Sequence, residues 1–160
     1  MKLKEALKKG KFVVTSEIHS PINESPETII KSLEMIRGRV DGISLPEIDF
    51  EGIVGDRIST CAVLKQNRFE PIYQTTTRDK HRNQLEKDLL LAYESGVENL
   101  LVFTEDYRLT GDSLQEMMFF HVDVGKLNSV LESIRRGHTI ENKPLPFKAE
   151  FLLGSGVDSS

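Results

Sequence analysis

The sequence predicts an α/β chain in which about five parallel strands alternate with helices. Two observations lead there. Short runs rich in Val, Ile, Leu and Phe recur along the chain: KFVVTSE (11–17), VDGISL (40–45), EPIYQTT (70–76), ENLLVFT (98–104) and KAEFLLG (148–154). Runs of this kind mark parallel strands covered on both faces. Longer stretches with apolar residues at helical spacing separate them.

The elements follow in order. Leu3, Ala6 and Leu7 share one face of a leading helix. After the first strand, Ser25-Pro26 opens the next helix, with proline suited to an early helical position. Ile29, Leu33 and Ile36 form its apolar stripe and Gly38 offers a stop. A third helix runs from about Asp56 to Gln66. A fourth starts near Asp79, a good N-cap residue type, and carries Leu85, Leu89 and Ala92 before Gly96. The last helix contains Leu127, Val130, Leu131 and Ile134 and ends before Gly137. Such repeated βα units build either an open doubly wound sheet or a closed barrel, and the local pattern does not choose between them.

The chain's 160 residues fit one domain spanning 1–160 with a real core. With 38% hydrophobic and 29% charged residues, the composition is that of a soluble globular protein. The net charge of −4, with interspersed signs, argues against nucleic acid or an anionic membrane as partner. No apolar run approaches the roughly 20 residues of a membrane span. The basic start MKLKEALKKGKF lacks the apolar core of a signal peptide, so a cytoplasmic location is expected. The one cysteine, Cys61, reads as a small buried residue, and no cysteine–histidine cluster has zinc spacing. Neither GxGxxG nor GxxxxGK[ST] occurs where a nucleotide fold would need it.

In parallel α/β architectures chemistry collects at the carboxyl ends of the strands. Here those ends carry Ser16-Glu17, Pro46-Glu47, Gln74-Thr75-Thr76, Thr104-Glu105-Asp106 and Gly154 through Asp158. Acids crowded onto one rim suit proton transfer or recognition of a hydrogen-bonding heterocycle. The carboxylates come from separate loops without metal spacing. The basic group Lys80-His81-Arg82 reads as a solvated helix start, and Phe119-Phe120 as core or interface.

Two stretches, TSEIHSP (15–21) and EPIYQTTTRDKHRNQLEKDLLLAYESGVENLLVFTED (70–106), resemble the methylenetetrahydrofolate reductase family. The second runs in register with that family's strand, E-P-x-x-x-x-T-x-R-D-x-N-R loop, helix and following strand. FFHVDVGKL (119–127) and FLLGSGVDS (151–159) are weaker echoes. The resemblance implies a (βα)8 barrel of the TIM type, here incomplete, with about five parallel strands and intervening helices. It implies FAD as cofactor and reduction of 5,10-methylenetetrahydrofolate to 5-methyltetrahydrofolate by NAD(P)H. It makes Glu17 the catalytic general acid and Asp106 the pterin contact. It gives Gln74, Thr104, Glu105, Asp106 and Asp158 to the flavin site, with Gly154 a weaker match. Glu105 stands where the family has glycine, Pro46 where a threonine is common, and Asp158-Ser159 where it has N-P. The implied partners are the folate, the nicotinamide, and either a second copy or another chain that supplies the missing half-barrel. The alternative expectation is a non-catalytic or partner-requiring half-barrel binding subunit or fragment.

Overall fold

A computed structural model describes residues 2–19, 24–47, 56–76, 80–103 and 124–155. Five strands form one parallel sheet: β1 (Thr15–Glu17), β2 (Gly42–Leu45), β3 (Pro71–Thr76), β4 (Asn99–Phe103) and β5 (Leu152–Ser155). The helices are α1 (Leu3–Lys8), α2 (Pro26–Leu33), α3 (Arg57–Gln66), α4 (Arg82–Glu94) and α5 (Val124–Arg136). A short 3₁₀ turn, Glu34–Ile36, follows α2, so the expected 25–38 helix ends in a tighter last turn.

The strand order is β1-β2-β3-β4-β5 without reversal. This decides between the two architectures the sequence leaves open. Successive right-handed crossovers that always step the same way put every helix on one face. The packing agrees, because α2 meets α3, α3 meets α4 and α4 meets α5. A doubly wound sheet would reverse its order and place helices on both faces. The fold is therefore of the barrel type, and β1 and β5 are the two edges of its described arc.

Alternation along each strand then assigns the side chains. Leu45, Tyr73 and Leu100 lie in register and belong to the main core, together with Ile43 and Val102. The helices contribute Ile29, Leu33, Leu64, Leu85, Leu89 and Ile134 to that core. The opposite face carries Glu17, Ser44, Ile72 and Asn99, also in register across β1 to β4. Gly42 shares this face, where an added Cβ would stand 2.9 Å from Ile72 Cδ1. A larger residue there would push the end of the Ile72 side chain aside.

Two strands are shorter than the sequence suggests. Lys11–Val14 stays outside the ladder, because β1 is an edge strand with a neighbour on one side only. Its approach is held instead by Asp41, which accepts from the Val14 N–H at 3.1 Å and from Lys11 Nζ at 2.6 Å. At β5 the ladder starts at Leu152, after Ala149 has entered the core and Phe151 has packed edge-on against Tyr93. Helix α4 begins at Arg82 with His81 at the N-cap position, while Asp79, expected there, lies outside the described residues.

Helix α1 sits at the amino ends of β4 and β5. Lys2 pairs with Glu98 at 2.8 Å and Lys4 with Glu150 at 3.1 Å, while Leu3 and Ala6 are buried. Among the described residues, no helix is long and apolar enough to cross a membrane.

Asp56 caps α3 through one carboxylate oxygen, which accepts from the N–H groups of Ile58 and Ser59 at 3.1 Å each. Asp56→Ala leaves those donors without their acceptor. It is expected to lower the unfolding free energy by about 1 kcal/mol, read as a shifted urea midpoint at unchanged slope. An unchanged midpoint would show that the cap contributes nothing to stability.

Candidate functional site

The carboxyl ends of β1, β2 and β3 meet on the face that the helices leave uncovered. Glu17 closes β1 with an exposed side chain. Its Oε2 accepts a hydrogen bond from Gln74 Nε2 at 2.5 Å. The same Gln74 nitrogen donates to Ser44 Oγ at 2.7 Å. Gln74 and Ser44 are both buried, at 6% exposure each. One buried amide thus links three strands and holds a solvent-facing carboxylate. Ile18 N–H, donating to the Ser44 carbonyl at 3.0 Å, fixes the backbone beside Glu17.

A second polar cluster lies on the other side of β3. Arg57, the first residue of α3, donates to the Gln74 carbonyl at 2.7 Å and to the Tyr73 hydroxyl at 3.1 Å. Its guanidinium stands 4.6 Å from the centre of the Tyr73 ring, within cation–π range. Arg57 also pairs with Glu47 at 3.3 Å. Glu47 takes two further contacts, from Lys80 Nζ and from the Thr76 N–H. Lys80 donates to Thr75 Oγ1 at 2.9 Å and stands 3.7 Å from Asp88.

Burial pushes the Glu47 carboxyl up, but the Lys80 ammonium and the Thr76 hydrogen bond outweigh it, and the net displacement is downward. Burial raises the Tyr73 hydroxyl to about 12, so it stays a neutral donor or acceptor. Cys61 is fully buried, and burial pushes its thiol up to about 12, which leaves it a packing residue.

Sequence reasoning put Glu17 and Gln74 at this rim, and they touch. Gly154 lies on β5, and its added Cβ would meet Leu101 Cδ1 at 3.2 Å. Thr104, Glu105, Asp106, Asp158, Phe119 and Phe120 lie outside the described residues. Lys80 corrects an expectation. It is not part of a solvated helix start but 13% exposed and paired with Glu47. Ser44 and Arg57 went unnoticed in the sequence. The available signal for Ser44 was its phase: it is the polar residue of an apolar strand, one register step from Glu17. No comparable signal marks Arg57.

Among the described residues no group of three or more His, Cys, Asp or Glu side chains is placed to hold a metal ion. Of the residues that the resemblance gives to FAD, Gln74 and the weaker match Gly154 are described, and the Gln74 amide nitrogen is occupied by Glu17 and Ser44. A cavity of about 250 Å³ lies at the other end of the sheet, lined by Lys2, Lys4, Glu98 and Glu150 among others. The α1 ion pairs lie in its wall, and none of its lining residues belongs to the rim.

No family model matches the chain. No curated protein matches it either. Among solved structures, the chain is similar to the 4-hydroxy-tetrahydrodipicolinate synthase of Methylacidiphilum fumariolicum SolV, at 19% identity and a TM-score of 0.47. The match covers 76% of this chain but only 41% of that one.

These findings correct the activity expected from the sequence. The flavin-dependent methylenetetrahydrofolate reductase activity that the resemblance implies does not stand, because no family model and no curated protein matches the chain. The partner-requiring half-barrel subunit has no finding behind it and is dropped too. FAD, folate, NAD(P)H and a place in methionine metabolism rest on the resemblance alone.

Glu47 anchors the cluster behind β3 and is only 14% exposed. Glu47→Gln strands the charges of Arg57 and Lys80 and is expected to cost about 3 kcal/mol of stability near neutral pH. Because its carboxyl is held below the ordinary value of 4.5, the stabilisation is complete above that value. It disappears as pH falls through the depressed value. Urea denaturation of both chains across that range measures the difference. A deficit that persists undiminished in acid would show that Glu47 acts by shape and not by charge.

Proposed function

We propose that the carboxyl-end rim of the sheet is a small-molecule site, and that Glu17 is its acid–base group. The observation that carries this reading is the Glu17–Gln74–Ser44 line. A purely structural strand link would bury its carboxylate. Here the amide and the hydroxyl are buried while the carboxylate they hold faces solvent. That arrangement keeps one acceptor in a fixed place at the surface, which proton transfer requires.

The ligand class follows from the donors and acceptors. Glu17 accepts when ionised and donates when protonated, and the Ser44 hydroxyl still has its own proton to give. A planar heterocycle with adjacent N–H and C=O groups matches such an edge. The surrounding chain is acidic overall, so recognition rests on hydrogen bonds at the rim and not on a general field. A cytoplasmic setting belongs to the same proposal, since the single thiol, Cys61, is buried and forms no disulfide.

Ligand-observed NMR with uracil, xanthine and 6-methylpterin as probes tests the reading. At least one probe is expected to bind the 160-residue chain. Glu17→Ala should weaken that binding by about ten- to a hundredfold, the worth of a hydrogen bond to a charged group. If Glu17→Ala binds every probe as the parent chain does, the rim is not the site.

A further inference from the structure

We infer that Gln74 and Ser44 form an ambivalent cradle that holds the Glu17 carboxyl in place in both of its protonation states. Gln74 is then a positioning residue for proton transfer at Glu17. The inference rests on the acid–base reading of Glu17 given above.

The argument starts from what each partner can do. A glutamine amide is a donor at one end and an acceptor at the other, and the two ends are nearly the same size. A serine hydroxyl donates or accepts by rotating its hydrogen. With Glu17 ionised, Gln74 Nε2 donates to both Glu17 Oε2 and Ser44 Oγ. With Glu17 protonated at Oε2 and its hydroxyl turned toward Gln74, that pattern puts two donors against each other. A half-turn of the amide about its last side-chain bond restores every contact. Gln74 Oε1 then accepts from the Glu17 hydroxyl, and Ser44 rotates to donate to the same oxygen. Only the amide nitrogen and oxygen of Gln74 change places.

The distances favour this exchange. The Gln74–Glu17 contact is 2.5 Å and the Gln74–Ser44 contact 2.7 Å. N–H···O bonds ordinarily span about 2.7–3.2 Å and O–H···O bonds about 2.5–3.0 Å. Both contacts therefore have a length that an oxygen can occupy as well as a nitrogen. The rest of Gln74 is fixed independently of its amide. Its carbonyl accepts from Arg57, and its backbone is paired with β4 at Leu101. Only the end of the side chain is left to turn.

Glu17 lies on an edge strand whose neighbour is β2. His19 follows it on its own segment, and Glu47 lies just past the end of β2. Arg57 and Lys80 stand behind β3 on the helix side, engaged with Glu47. An ambivalent neutral partner suits such a place. An arginine or lysine there would favour the ionised state alone.

The side-chain amide protons of Gln74 report the turn directly. Their solvent exchange is measured by NMR through the protonation of Glu17, which is followed at its own carboxyl carbon. The exposed side-chain amide of Gln66 serves as the internal reference for the intrinsic effect of pH. The Gln74 protons are expected to lose about tenfold of their protection relative to Gln66 as Glu17 takes up its proton, because they leave a charged acceptor. In Glu17→Gln the change should vanish. A ratio that stays constant through the protonation of Glu17 overturns the cradle, and so does a change that persists in Glu17→Gln. The outcome is separate from the ligand test. A turning amide in a chain that binds no probe would sink the small-molecule reading and leave the cradle standing.

Discussion

The unbroken strand order is the constraint on which the rest of the molecule depends. Five parallel strands that always step in one direction leave all connecting helices on one side. Every second residue of each strand is then committed to the apolar core and its neighbours are released from it. Polar groups such as Ser44, Gln74 and Asn99 can lie on the released face without displacing a leucine. Their burial is tolerable because each is hydrogen-bonded. Asn99, for instance, donates to the Pro71 carbonyl at 3.0 Å. A doubly wound sheet of the same strands would have filled that face with helices, and Glu17 could not have met Gln74 across open space.

The two sides of β3 cooperate through one residue. Gln74 presents its amide to the released face and its carbonyl to Arg57. Behind it, two cations and the Glu47 carboxylate form a cluster with low exposure. Such a cluster is poor evidence of stability gained, since desolvation offsets much of the attraction. It does fix geometry. It ties the start of α3 and the segment before α4 to the same strand that orients Glu17. Rigidity at the rim therefore comes from charge on the helix side and is expressed by neutral groups on the other.

Much of this was legible in the sequence, and the losses have physical causes. The five apolar runs identified five strands because a doubly covered strand needs consecutive hydrophobic residues. The strand order was not legible, since it depends on crossovers that no local pattern records. Glu17 and Gln74 were placed at the rim by their position at the carboxyl ends of strands, and their contact follows from register. Ser44 carried the same phase but was hidden by its apolar neighbours. Lys80 was misread because a lysine beside His81 and Arg82 has the look of a wet helix start. Only the long-range approach of Glu47 makes it a buried ion. The family resemblance rested on short motifs in register, and strand–loop–helix motifs of that length specify a local turn chemistry more firmly than they specify a reaction.

Helix α1 gives the sheet an asymmetry with a consequence of its own. Its lysines close the amino ends of β4 and β5 through partly exposed ion pairs, the kind that dissolved salt screens. The opposite end carries the Glu17 carboxyl held by the neutral amide of Gln74. The two ends thus respond differently to the medium. Dissolved salt weakens the fastening of α1, while the contact between a carboxyl and a neutral amide at the rim is little changed by it.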